Sequence, residues 1–302
     1  MARILVSGLI NLENTLRVDG FPIEYTPVRY LFYGVNSSVS GVGFNVARAL
    51  TGLGDAVRFL SLIGRDLAGS LVKTVLDSAS IPAGDVLEKL ERTPQSVILY
   101  DPSGRRQINV DLKDIQDQVY PFERFQEALQ ECSLAVLCNI NFSRPLLLPA
   151  SQAGKLVATD LHAIAELDDF YNRDFMAAAN ILFMSDERLP CSPEDWVRQV
   201  WDRYPAEIVV VGLGAQGTLL GVRKDHMLER MPAIYTRPVV NTIGAGDALF
   251  SAFIHCYSQS WNPFEALRKA SVFASYKIGE PGAADGFLDE ASLNTLYASL
   301  SK

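Results

Sequence analysis

The chain has 302 residues, 48% of them hydrophobic, with 27 Lys and Arg against 35 Asp and Glu for a formal charge of −8. That length and apolar fraction fill the core of one large α/β domain or two small ones. The acidic balance and the absence of a dense basic run speak against nucleic acid or an anionic membrane surface as partner, so an anionic ligand must be held locally, by backbone amides or a few cations.

The opening stretch MARILVSGLINLEN reads as a first strand and not as a signal peptide, because Asn11 and Glu13 interrupt a short apolar run and no small-residue cleavage site follows. No apolar segment approaches the ~20 residues of a membrane helix. Cys132, Cys138, Cys191 and Cys256 lack CxxC spacing, which suits buried reduced thiols. A soluble, cytoplasmic protein is expected.

In chain order, RILVSG (3–8) is followed by LRVDGFPIEYTPVRYLFYGVN (16–36), rich in aromatic and β-branched residues and suited to hairpin-like strands off the main sheet. NVARALTGLG (45–54) is helical by spacing, AVRFLSLIG (56–64) a buried strand, and LAGSLVKTVLDSA (67–79) a helix. A second off-sheet stretch, QSVILYDPSGRRQINVDL (95–112), comes next. FERFQEALQECS (122–133) and PEDWVRQVWDRY (193–204) are amphipathic, and the runs at 133–140, 155–161, 180–185 and 207–214 read as buried strands.

Strand and helix in alternation predict an α/β fold with a mostly parallel sheet covered on both faces. The stretches 16–36 and 95–112 predict a small β lid over its edge. Exposed Tyr30, Phe32 and Tyr33 would then meet a ligand or a second subunit, or pack as ordinary strand residues.

GLGAQG (212–217) matches GxGxxG after a strand, yet TLLGV follows where a dinucleotide site needs a helix N-terminus. The corner VVNTIGAGDALFSAF (239–253) has more to offer. Gly244 and Gly246 permit successive amides to converge at the start of a buried helix, and Asp247 sits in its first turn, either as a cap or as a functional carboxylate. An amide nest beside a carboxylate is what phosphoryl transfer requires: donors for the moving charge and an acceptor for a hydroxyl proton.

NTIGAGDALFSAF resembles the C-terminal signature of the ribokinase-like, or PfkB, carbohydrate and nucleoside kinases, usually D-T-x-G-A-G-D. GVGFNVARAL (41–50) is similar to the family's N-terminal glycine and asparagine signature, and IGRDLAG (63–69) to its following G-x-D-x-x-G turn. The resemblance spans the chain and implies one ribokinase-like three-layer α/β/α domain over 1–302 with a β lid. It implies that Asp247 is the catalytic base and that the amides of Gly244, Ala245 and Gly246 form the anion hole, with Thr242 beside the nucleotide phosphates.

On the substrate side it points to Asn11, Glu13, Gly41, Gly43 and Asn45, with Asp standing in the family where Glu13 stands here. Asn45 also qualifies as a helix cap. Asn141 and Asp160 join them from strand ends, where open parallel sheets bind ligands. On the nucleotide side it points to Ser185, Gly212, Gly214, Gly217, Ser271, Ala274, Gly282 and Ala283.

Two departures stand out. The family's N-x-x-E motif, linked to phosphate and Mg²⁺ ordering, reads Ser185, Asp186, Glu187, Arg188 here, so that Asp186 or Glu187 substitutes or the metal arrives with ATP. Asn241 replaces the Asp that helps hold a monovalent cation, which predicts weak or absent K⁺ activation.

The expected activity is ATP- and Mg²⁺-dependent phosphorylation of a hydroxyl on a small sugar or related polyol, with a nucleoside acceptor or a non-catalytic sensor as the alternatives. Arg105 and Arg106 are placed to reach an anionic acceptor such as a sugar phosphate or acid, but two arginines in a turn are more often solvated, which favours a neutral acceptor. A homodimer through the lid is expected from the family and from the aromatic 21–33 segment.

Overall fold

The computed structural model describes residues 2–300. Its strands begin with β1 (Arg3–Ser7), β2 (Asn11–Arg17), β3 (Val35–Ser40), β4 (Ala56–Gly64), β5 (Val86–Leu90), β6 (Gln95–Tyr100) and β7 (Arg106–Asp111). They continue with β8 (Leu134–Leu137), β9 (Leu156–Ala163), β10 (Ile181–Ser185), β11 (Ile208–Gly212), β12 (Thr218–Val222) and β13 (Met227–Met231). The helices are α1 (Val42–Gly52), α2 (Leu67–Ser78), α3 (Phe122–Gln130), α4 (Leu147–Gln152), α5 (Arg173–Ala178), α6 (Pro193–Arg203), α7 (Ala245–Ser260), α8 (Pro263–Lys277) and α9 (Glu290–Leu300).

Nine strands form one sheet in the order β13-β12-β11-β10-β9-β8-β1-β4-β5, parallel except where β12 meets β11 and β13. Successive residues of β1 feed opposite layers: Ile4 and Val6 pack on the side of α1, α7 and α8, whereas Leu5 packs on the side of α3 and α6. That is why the central strands are continuously apolar instead of alternating. Two cores cover the sheet and make the three-layer α/β/α architecture of a ribokinase-like fold.

A second sheet, ordered β3-β2-β6-β7, stands apart. The 95–112 stretch forms its β6 and β7 as expected, but the first stretch differs. Paired strands occupy Asn11–Arg17 and Val35–Ser40, and residues 18–34 between them are an irregular loop. Pro22 and Pro27 lack the amide proton a ladder requires, and the Phe21–Pro22 peptide is cis. Tyr30, Phe32 and Tyr33 therefore pack in no strand and are exposed.

GLGAQG likewise opens no helix: Gly214–Gln216 form a short 3₁₀ turn and antiparallel β12 follows. Gly217 has φ 99°, and a Cβ there would stand 2.0 Å from the Met231 carbonyl oxygen, so glycine is required to fold β12 back beside β13. Among the described residues no helix is long and apolar enough to cross a membrane, and all four cysteines are free thiols.

Candidate active site

α7 begins directly after Gly244, whose left-handed backbone (φ 76°, ψ 8°) admits glycine with little strain. A Cβ on Gly244 would also lie 2.3 Å from the Ala283 carbonyl oxygen, so the 279–286 loop closes tightly on the corner. No side chain caps this helix end. The cap reading of Asp247 is thereby replaced: its carboxylate lies inside the first turn, 9% exposed, and accepts a 2.6 Å hydrogen bond from Asn45 Nδ2. The Ala245 amide is engaged by the Thr242 carbonyl at 3.2 Å, contrary to its expected place in the anion hole; the amides of Gly244 and Gly246, with a helix dipole behind them, are the ones that favour an anion.

Asn45 is not a cap either. The N-cap of α1 is Gly41, at φ 104°, and Asn45 lies a turn further on with its amide bonded to the Gly41 carbonyl. Gly41 and Gly43 allow the close approach that this requires, since a Cβ on Gly43 would stand 2.4 Å from the Gly8 carbonyl carbon. They bring α1 against the end of β1 and so aim Asn45 at Asp247.

Asn11 and Glu13 lie on lid strand β2 and not at the end of the first main-sheet strand, and both side chains are buried. Asn11 Nδ2 donates to Ser96 Oγ at 3.1 Å. Among the described residues, Asn11 Oδ1 and Glu13 Oε1 have no hydrogen-bond partner. Buried acceptors left open in this way are rare and call for a donor from outside the chain. Asp160 lies within β9, buried, accepting from the His162 amide at 2.9 Å, and its Oδ2 is the nearest atom, at 3.9 Å, to a Cβ placed on Gly246.

Burial is the main reason that the Asp247 carboxyl sits above the usual aspartate range. The Asp160 charge adds to it, while the Asn45 hydrogen bond, His162 and Lys277 pull the other way. Glu13 is raised too, first by burial, with the Ser40 hydroxyl opposing and Asp247 reinforcing. A carboxylate with a raised proton affinity, held by one amide, is a competent base for a neutral hydroxyl.

The other expected residues divide. Asn141 opens the 3₁₀ turn after β8, and its carboxamide is engaged by the chain itself: Nδ2 donates to the Gln116 carbonyl and Oδ1 accepts from Arg144. Ser185 caps the turn Asp186–Arg188 by accepting from the Glu187 amide at 3.2 Å, and its strand partner across the ladder is Gly212. Gly214 supplies a left-handed turn at φ 56° beyond that strand end. Ser271 and Ala274 lie on α8, with the Ser271 hydroxyl bonded back to the Leu267 carbonyl. Gly282 sits in the loop that closes on Gly244, where a Cβ would meet Asp285 Oδ2 at 2.2 Å.

Three residues in this neighbourhood take parts that the sequence reading did not give them. Arg106 does more than a solvated turn residue: exposed at the start of lid strand β7, it donates to Thr242 Oγ1 at 3.1 Å and reaches Glu187 at 4.0 Å. It ties the lid to both the glycine corner and the 185–188 turn. His162, at φ 59°, places Nδ1 3.8 Å from Asp160 Oδ2. Lys277, with no exposed surface, donates from Nζ to the Ile243 carbonyl. Its signal was present in sequence, because 3-to-4 spacing from Ala270 and Phe273 puts it on the buried stripe of α8.

The model of the pfkB family of carbohydrate kinases matches residues 1–290. The chain belongs to that family. Among similar proteins, the acarbose 7(IV)-phosphotransferase of Actinoplanes sp. is 26% identical over 295 residues, 96% of each chain. The ATP-dependent ribose-1-phosphate kinase of Halopiger xanaduensis is 26% identical over 94% of each. Among solved structures, the microbiome-derived acarbose kinase Mak1 superposes with a TM-score of 0.88 at 27% identity, over 98% of this chain and 99% of that one. Ribokinase of Arabidopsis thaliana, complexed with ribose and ATP, shares the fold at a TM-score of 0.81 and 19% identity, over 98% of each chain. The enzyme is an ATP-dependent sugar kinase.

Proposed function

We propose that the kinase transfers the γ-phosphoryl group of ATP to a hydroxyl of a small sugar or related polyol, with Asp247 as general base. The observation that carries this reading is the buried Asp247 carboxylate, hydrogen-bonded to Asn45, in the uncapped first turn of α7. The open acceptors of Asn11 and Glu13 favour a polyhydroxylated molecule, whose hydroxyls would supply the missing donors. Relatives named for acarbose and for ribose 1-phosphate agree with a sugar acceptor.

The residues present fit a nucleotide. Outside its own helix turn, the nearest atom to a Cβ placed on Gly246 is Asp160 Oδ2 at 3.9 Å, so no other element packs tightly on that residue. In the reaction, Asp247 takes the proton of the acceptor hydroxyl as its oxygen forms a bond to the γ-phosphorus, and the bond to the β–γ bridging oxygen breaks, releasing ADP. The amides of Gly244 and Gly246 face the charge on the moving group, while that of Ala245, already donated to the Thr242 carbonyl at 3.2 Å, would join them only by giving up that bond; Thr242 and Arg106 bound the phosphate channel, and the lid excludes water. Gly212, Gly214, Gly217, Ser271, Ala274 and Gly282 frame the nucleotide.

Mg²⁺ would supply charge neutralisation at the terminal phosphates of ATP. Among the described residues no group of three His, Cys, Asp or Glu side chains converges to hold a metal ion. We therefore assign Asp186 and Glu187, which sit on an exposed turn, an indirect part in ordering an ion that arrives with ATP. We read 1–302 as one cytoplasmic kinase domain whose lid, with exposed Val97, Ile108 and Val110, is the surface for a second copy. A monomer in light scattering at micromolar concentration would dispose of the dimer.

The test is ATP consumption against a panel of sugars, sugar phosphates and nucleosides, with Asp247→Asn as control. A sugar or sugar phosphate should stimulate turnover by the wild type only. Stimulation by nucleosides alone would move the acceptor class, and ligand-induced stabilisation without any turnover would make the protein a sensor.

A further inference from the structure

The corner that carries Asp247 is pinned by two side chains acting on one residue. Asn241 Oδ1 accepts from the Ile243 amide at 2.8 Å, while Asn241 Nδ2 donates to the Pro281 carbonyl at 3.0 Å. The Ile243 carbonyl accepts from the Lys277 ammonium. A trans peptide is planar, so the direction of the Ile243 carbonyl fixes the opposite direction of the Gly244 N–H, the first donor of the proposed anion hole.

Lys277 has no exposed surface, and burying an ammonium is expensive unless something specific holds it. Four carboxyl groups, Asp247, Asp285, Glu13 and Glu280, act on it through space. None of them lies within ion-pair distance: among the described residues the ammonium makes one hydrogen bond, to the carbonyl of the corner. A lysine retained only to neutralise acids would pair with one. This one spends its contact on the backbone that precedes Gly244.

Resting on the kinase reading, we propose that Lys277 is the built-in cation of the phosphoryl-transfer corner, a positioning residue that orients the Ile243–Gly244 peptide and offsets the surrounding carboxylates in place of a diffusible monovalent ion. Removing the ammonium leaves an inward-facing carbonyl amid negative charge, a vacancy that NH₄⁺ or K⁺ would fill. The side chain and Asn241 thus complete one device, with the amide holding one edge of Ile243 and the ammonium the other.

The experiment measures MgADP affinity by titration calorimetry, a probe that needs no knowledge of the acceptor, in tetramethylammonium chloride and in KCl or NH₄Cl at equal ionic strength. Wild type should bind equally in all three salts. Lys277→Gln and Lys277→Met should bind at least about tenfold more weakly in tetramethylammonium, recover in K⁺ or NH₄⁺, and Lys277→Arg should need no rescue. Folded variants that bind like wild type, or that weaken without cation rescue, would overturn the proposal.

If neither neutral variant folds, wild type decides it. Burial brings the ammonium down to about 8, so MgADP affinity should decline as pH rises from 7 to 9.5, and a flat profile would count against Lys277. A wild type that binds no MgADP at all would instead remove the kinase reading on which this rests.

Discussion

Lys277→Met should change how the protein's stability depends on pH while impairing nucleotide binding. Burial lowers the Lys277 ammonium from an ordinary 10.5 to about 8. At about 1.36 kcal/mol per pKa unit, holding the charged form in the folded state costs about 3 kcal/mol at pH 7, where folded and unfolded chains are both protonated. Above pH 8 the folded chain releases this proton while the unfolded chain keeps it up to 10.5. Wild-type stability therefore gains from this group as pH rises, with a slope approaching 1.36 kcal/mol per unit.

Buried thiols act in the opposite sense. Cys132 is pushed up to about 11 and Cys256 to about 12, mainly by burial, so unfolding releases their protons and stability falls as pH passes the ordinary thiol range. They are common to both proteins and cancel in the difference. Urea unfolding of wild type and Lys277→Met at pH 7 and pH 9.5 should show the variant losing roughly 2 kcal/mol relative to wild type over that interval. A stability difference that does not change with pH would refute the reasoning, because lost packing or gained apolar burial has no proton to release.

Asp247→Asn should lower turnover by ~10²–10⁴-fold with MgADP affinity nearly intact, measured by coupled assay and calorimetry. Because burial raises Asp247 and the base works only when ionised, activity should fall on the acid side at a pH above the ordinary aspartate value, and Asn45→Leu should move that limb higher still by removing the hydrogen bond that favours the anion. Gly244→Ala combines φ 76° with a 2.3 Å approach to the Ala283 carbonyl oxygen; it should abolish nucleotide binding while the melting temperature drops by only a few degrees, and unchanged affinity would show that the corner is not the phosphate site. Arg106→Ala should raise KM for ATP with little change in melting temperature, since its partners Thr242 and Glu187 lie across the lid interface and not in the core.

The glycine corner was legible because its constraints are local: positive φ, an uncapped helix start and an acid in the first turn are written within a few consecutive residues. The main sheet was legible for a similar reason, since strands buried on both faces leave unbroken apolar runs such as ILV at 4–6. The lid boundary at 18–34 was misjudged because aromatic and β-branched residues there signal strand, whereas the prolines and the lack of any pairing partner decide for loop. The roles of Asn45 and Asp247 as caps were plausible from position alone and were displaced only when the two side chains, 202 residues apart, proved to be bonded to each other.

Arg106 and Lys277 show what sequence order conceals. A long flexible cation is assigned to solvent by its composition class, yet its reach lets the fold use it far from its own backbone. Arg106 crosses 136 residues of sequence to Thr242, and Lys277 crosses 34 to Ile243. Asn241 looked like a loss of charge when read against the family's aspartate. Seen with Lys277, the substitution has a physical logic: an aspartate at 241 would place a further carboxylate at a corner already facing Asp247, Asp285, Glu13 and Glu280, whereas an amide donates to Pro281 and accepts from Ile243 without adding charge. A cation supplied by the chain and an acid replaced by an amide are then one adaptation, and Asn241→Asp in wild type should raise the proton affinity of Lys277 and carry the pH dependence of MgADP binding upward with it.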